Sequence, residues 1–147
     1  MKLEIRDYKI EDVEEVYNIL SQNFIHPWDK KSLTLVSNNF IKKVLVLDGE
    51  IIGFLEMQVV ADEADLVMIA IKKEFQRKGL GEYFLKQIIK YLKERGITRI
   101  FLEVSSKNEK AINFYRKLGF VDYSIRKNYY KDGSDALLLE LYLDSGD

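Results

Sequence analysis

The sequence predicts one α/β domain over residues 1–147, with a mixed, mostly antiparallel sheet flanked by about four helices. Three observations carry this. Lys43 to Asp48 and Ile51 to Val60 are strand-like runs on either side of Asp48-Gly49-Glu50, a short turn with the strongest local hairpin signal. Leu66 to Ile71 is an apolar run without a charge, followed by a glycine-containing hexapeptide and a long helical pattern. Beyond that helix, Arg99 to Val104 reads as another strand, so strand, helix and strand form a parallel crossover.

In chain order, Leu3 to Tyr8 alternates Leu3 and Ile5 with Glu4 and Arg6 as a first strand. Val13, Val16, Tyr17 and Leu20 repeat three and four apart, predicting a helix over Ile10 to Gln22. Phe24-Ile25-His26-Pro27-Trp28 interrupts it, and Asp29 is placed to cap a short helix from Lys30. Ala61 to Glu63 links the hairpin to a strand over 64–71. Phe84, Leu85, Ile88, Ile89 and Leu92 keep helical spacing over Leu80 to Glu94, and Gly96 ends that helix. Asn108 is an N-cap candidate for a helix carrying Ala111, Ile112, Phe114, Tyr115 and Leu118, stopped by Gly119. Phe120 to Arg126 and Ala136 to Tyr142 close the chain as two strands around a polar loop, Lys127 to Asp135.

Composition bounds the function. With 147 residues, 47% hydrophobic and 32% charged, the chain has the make-up of a globular protein with a sizeable core. A net charge of −1 makes no global case for nucleic acid or a membrane surface as partner. No cysteine is present, which removes disulfides, thiolate metal sites and a cysteine nucleophile. A single histidine leaves little to build a histidine metal site or a serine triad on, and no metal is expected. No apolar run approaches a membrane span and no signal-peptide pattern opens the chain, so the cytoplasm is the expected compartment. A monomer or weak homodimer is the expected assembly.

The hexapeptide Gln76-Arg77-Lys78-Gly79-Leu80-Gly81 stands between a strand and a helix N-terminus, where unpaired amides and the helix dipole favour an anion. Arg77 and Lys78 add positive charge, while Gly79 and Gly81 permit close approach or positive φ. It is neither a Walker loop nor a dinucleotide fingerprint, whose third glycine position is Phe84 here. Read alone, the hexapeptide is either an anion loop or a tight connection.

QRKGLG resembles the Q/R-x-x-G-x-G/A pyrophosphate loop of the GNAT acetyltransferases, and the element order is that of the GNAT acyl-CoA N-acyltransferase fold. The strings Asp62-Glu63-Ala64-x-Leu66-x-x-Ile69-Ala70-Ile71, Leu102-Glu103-Val104-x-x-x-Asn108, Ala111-Ile112-x-x-Tyr115-x-x-x-Gly119-Phe120 and Arg126-x-Asn128-Tyr129-Tyr130 are similar to the RimI branch of N-terminal protein acetyltransferases. Lys73-Glu74 departs from that pattern, where a proline commonly precedes the loop. The resemblance implies acetyl-CoA as co-substrate and a protein N-terminus, alanine of a small ribosomal-subunit protein, as acceptor. It also implies backbone pairing of Ile69, Ala70 and Ile71 with the pantetheine arm, a pyrophosphate cradle from Gln76 to Gly81, and a cofactor contact from Asn108.

An α-amine with pKa near 7.7–8.0 is roughly a tenth neutral at pH 7, whereas lysine near 10.4 is neutral about once in a few thousand, so terminal-amine transfer asks only for a modest base. Glu103 fits that role by resemblance. Phe101 and Glu103 share one strand face and Ile100, Leu102 and Val104 the other, and in a central strand the carboxylate is expected to be poorly hydrated. The competing reading is a strand-end glutamate paired with a lysine. Tyr115 matches the family's proton donor to the departing thiolate, or is a core tyrosine with a bonded hydroxyl. Asn108 serves as cofactor contact, as N-cap, or as both. Tyr129 and Tyr130 line the acceptor cleft or are ordinary surface tyrosines, and Trp28 approaches that cleft or plugs the core. A small-molecule or lysine acceptor, or a non-catalytic acetyl-CoA-binding module, stands as the alternative function.

Overall fold

The Asp48-Gly49 turn joins two long antiparallel strands. Both residues take positive φ, 49° and 86°, the geometry of a two-residue turn whose twist matches its strands. A computed structural model describes residues 2–24, 29–34 and 38–143. Its strands are β1 (Leu3–Asp7), β2 (Phe40–Leu47), β3 (Glu50–Val60), β4 (Glu63–Ile71), β5 (Arg99–Ser105), β6 (Val121–Arg126) and β7 (Ala136–Tyr142). Its helices are α1 (Val13–Asn23), α2 (Lys30–Leu33), α3 (Leu80–Glu94) and α4 (Glu109–Lys117), with single 3-10 turns at Ile10–Asp12 and Lys73–Phe75. The helix read over Ile10 to Gln22 therefore begins as a 3-10 turn. The Asp12 carboxylate accepts from the Lys9 amide at 2.8 Å and from Arg6 through both oxygens, at 2.8 and 3.0 Å, which tightens the entry.

The strands order as β1-β2-β3-β4-β5-β7-β6. The β1–β2, β2–β3, β5–β7 and β6–β7 pairs are antiparallel, and β4–β5 is parallel. The chain divides into two compact units, Met1–Val59 with Val67–Gln87, and Val60–Leu66 with Ile88–Asp147.

In the first unit, the three-and-four spacing of α1 turns Val16, Ile19 and Leu20 onto Leu33, Val44, Val46, Phe54 and Ala70, all buried. Asp29 caps α2 by accepting from the Ser32 amide at 2.8 Å, as its position before Lys30 predicts. In the second unit β5 alternates as read: Ile100, Leu102 and Val104 are buried, and Glu103 faces outward. Asn108 caps α4 by accepting from the Ala111 amide at 3.2 Å. The Phe24–Trp28 interruption lies, from residue 25 on, outside the described residues.

Candidate active site

β4 ends in the 3-10 turn at Lys73–Phe75, where the sequence lacks a proline, and the chain then enters the glycine hexapeptide. Gly79 takes φ 77° with open space around it, so its freedom serves backbone conformation. Arg77, at φ 62°, is a non-glycine residue in the same left-handed region, a feature that nothing in the sequence signals. Gly81 lies inside the first turn of α3. The first bond from helix to loop runs from the Tyr83 amide to the Gly79 carbonyl, at 3.0 Å, so the glycine loop leads directly into the first turn of α3. Arg77, Lys78 and Gly79 are exposed, and Leu80 is half-buried.

Two predicted contacts change in detail. The Gln76 side chain turns inward: its amide donates to Asn23 Oδ1 at 3.0 Å and to the Ile71 carbonyl at 2.9 Å. Asn23 itself donates to the Ile19 carbonyl at 2.8 Å and the Ile71 carbonyl at 3.0 Å. Gln76 thus contributes only backbone to the loop, and the Ile71 carbonyl already accepts twice. The parallel ladder pairs Glu63–Asp65 with Arg99–Phe101, and Ile69, Ala70 and Ile71 lie beyond its last pair. Asn23 escaped the sequence reading because the partners it joins are 48 and 53 residues away.

The second unit supplies the ionisable groups. Glu103 is exposed, which corrects the expectation of a poorly hydrated carboxylate, although its Cα partner on β7, Leu138, is buried. Arg126 Nη1 lies 3.6 Å from Oε2, and the Tyr130 hydroxyl donates to Oε1 at 3.4 Å. Burial, then the charge of Glu103, push the Tyr130 hydroxyl up to about 12, so it stays a donor at neutral pH. Tyr129 packs edge-on against Tyr130 at 5.1 Å and carries Arg126 over its ring at 5.6 Å. The loop holds these rings because the Tyr129 and Tyr130 amides both donate to the Ser134 carbonyl, at 3.0 and 3.1 Å. Ser134 is buried and its hydroxyl accepts from Ser105 at the end of β5, at 2.9 Å.

Tyr115 is half-buried on α4, edge-on to Phe114 at 5.3 Å and to Phe120 at 5.7 Å. Burial pushes its hydroxyl up to about 12, and among the described residues no group bonds it. The side-chain oxygen of Asn108 is engaged as the N-cap. Trp28 lies outside the described residues. Among the described residues no group of three or more His, Cys, Asp or Glu side chains is arranged to hold a metal ion, and no helix is long and apolar enough to cross a membrane.

The sequence pattern of the acetyltransferase (GNAT) family matches residues 13–120. The chain belongs to the GNAT acetyltransferase family. It is 38% identical over 136 residues to the [ribosomal protein bS18]-alanine N-acetyltransferase of Escherichia coli strain K12, covering 88% of this chain and 90% of that one. The crystal structure of the ribosomal-protein-S18-alanine N-acetyltransferase from Escherichia coli superposes with a TM-score of 0.90 at 33% identity, over 99% of this chain and 97% of that one. The PaiA N-acetyltransferase of Thermoplasma acidophilum, in complex with coenzyme A, matches at TM-score 0.77 and 25% identity, over 97% and 100%. The GNAT fold and the RimI-type resemblance read from the motifs are borne out, and this GNAT protein is an N-acetyltransferase by family.

Proposed function

We propose that residues 1–147 act as one cytoplasmic N-acetyltransferase domain that moves the acetyl group of acetyl-CoA to the α-amine of a protein N-terminus, with the N-terminal alanine of ribosomal protein bS18 as acceptor. The observation that carries this reading is the outward carboxylate of Glu103, bracketed by Tyr130 and Arg126, in a chain that resembles enzymes named for that reaction along most of its length.

The residues present fit acetyl-CoA. The helix N-terminus of α3, the left-handed Gly79 and exposed Arg77 and Lys78 suit a pyrophosphate, while Ile69, Ala70 and the Ile71 amide suit the pantetheine arm. Acetyl-CoA supplies an activated thioester. Glu103 takes a proton from the acceptor's ammonium, directly or through water, and the neutral amine nitrogen then bonds the acetyl carbonyl carbon. As the carbon–sulfur bond breaks, the Tyr115 proton passes to the departing sulfur and the second amine proton leaves to solvent. The phenol is protonated throughout the neutral range, which suits a donor. Tyr130 orients the Glu103 carboxylate, and Tyr129 and Tyr130 supply a wall for the acceptor. Asn108 keeps its cap while its amide nitrogen serves the cofactor.

The test is acetyl-CoA turnover by thiol release on peptides with Ala, Ser or Met N-termini, beside an N-terminally blocked lysine peptide. Glu103→Gln and Tyr115→Phe should each cost about tenfold or more in kcat. Turnover of the blocked peptide would move the acceptor to lysine, and no turnover on any peptide would remove the protein-acceptor reading.

A further inference from the structure

The face of the second unit that carries Glu103 has an unbalanced charge. In the parallel register Asp65 stands opposite Phe101, so its side chain shares the face of Phe101 and Glu103, while Ala64 and Ile100 are buried on the other side. Glu140 stands opposite Phe101 from β7, and Glu63 opposite Arg99 from β4. Four carboxylates, Glu63, Asp65, Glu103 and Glu140, therefore meet two guanidiniums, Arg99 and Arg126. Arg99 bonds Glu140 at 2.8 Å and lies 3.5 Å from Glu63, and Arg126 is the ion-pair partner of Glu103. Asp65 is half-buried and, among the described residues, has no hydrogen bond and no ion pair. An unpaired, partly desolvated carboxylate beside a second one is costly unless a cation arrives.

We infer that Asp65 binds the α-ammonium of the acceptor beside Glu103 and makes the enzyme specific for a free, charged N-terminus. This rests on the proposed function above, because the ammonium in question is that of its acceptor. Glu103 is braced by Arg126 and Tyr130 and receives the proton. Asp65 is the carboxylate with no cation of its own, so its charge is the one that a substrate cation satisfies. The binding step moves no proton, and the ammonium reaches Glu103 intact. Burial and the charge of Glu103 both raise the Asp65 carboxyl above the ordinary aspartate value, the perturbation that a nearby cation reverses.

Asp65→Asn keeps the shape and removes the charge. Binding is read by calorimetry with coenzyme A present, which prevents turnover, using a peptide with free N-terminal alanine and its analogue with hydrogen in place of the ammonium. Wild type should prefer the charged peptide by about tenfold, and Asp65→Asn should reduce that preference to about twofold. In steady state the variant's loss should fall on peptide KM, with acetyl-CoA KM unchanged, and its melting temperature should equal or exceed wild type. An unchanged preference for the charged peptide, or a rise in both KM values with a lower melting temperature, would overturn the role of Asp65 while leaving the reaction intact. If wild type turned over no free-N-terminus peptide, the proposed reaction itself would fall, and this role with it.

Discussion

Gly53 of β3 tests how tightly the end of β4 is held. A Cβ built there meets Ile71 Cδ1 at 3.0 Å, Leu45 Cβ at 3.2 Å and the Ala70 carbonyl oxygen at 3.3 Å. The first neighbour is the tip of a flexible side chain and can turn away. The other two are fixed to strands β2 and β4, so the new methyl group cannot relax from one without approaching the other. Overpacking of this kind costs about 1–3 kcal/mol, and replacing glycine in a strand returns about 0.5–1 kcal/mol. At the midpoints of these ranges the net for Gly53→Ala is a loss of about 1 kcal/mol, or about 2–4 °C in melting temperature for a chain of this length. Because Ala70 and Ile71 are proposed to meet the pantetheine arm, acetyl-CoA KM should rise about three- to tenfold, the kinetic equivalent of about 1 kcal/mol. Thermal melting by circular dichroism and acetyl-CoA saturation curves measure both. Ile71→Val in the Gly53→Ala background removes the nearest atom and should restore part of the stability and not all of it, since two contacts remain. A Gly53→Ala protein that melts at or above wild type with unchanged acetyl-CoA KM would refute the reasoning.

Two further outcomes follow from hydrogen bonds. Asp12→Ala removes both Arg6 bonds and the Lys9 amide bond. With Arg6 a third exposed, the loss should be about 2 kcal/mol, or about 4–8 °C. The Arg6 bond chiefly holds the Asp12 carboxyl below the ordinary aspartate value, so its stabilisation is present above that value, about 3.9, and lost as pH falls through the lower folded one. The gap between wild type and Asp12→Ala in acid melts should therefore close in that window, and a gap independent of pH would remove the ion pair from the account. Asn23→Ala leaves the Ile19 and Ile71 carbonyls one donor short and frees Gln76, which should weaken coenzyme A binding by calorimetry several-fold. Unchanged affinity at a lower melting temperature would confine Asn23 to capping α1.

The expectation that failed shows where sequence pattern stops. Alternation along β5 correctly turned Glu103 away from Ile100, Leu102 and Val104, but the hydration of that face depends on what covers it. Arg126 and Tyr130 reach Glu103 from 23 and 27 positions away, and only folding brings them there. Asn108 behaved oppositely. Its cap needs a partner three residues on, so the sequence alone sufficed.

Local chemistry determined much of this protein from its sequence: the positive-φ hairpin turn, the Asp29 and Asn108 caps, the span of α3 and the glycine loop that marks its family. Each depends on residues within a few positions of one another, where spacing is geometry. The tertiary structure alone decided the inward turn of Gln76, the double use of the Ile71 carbonyl, the bracket around Glu103 and the unpaired charge of Asp65. Those features join segments distant in the chain, and both the strand register and the balance of charge across a sheet face exist only once the strands have paired.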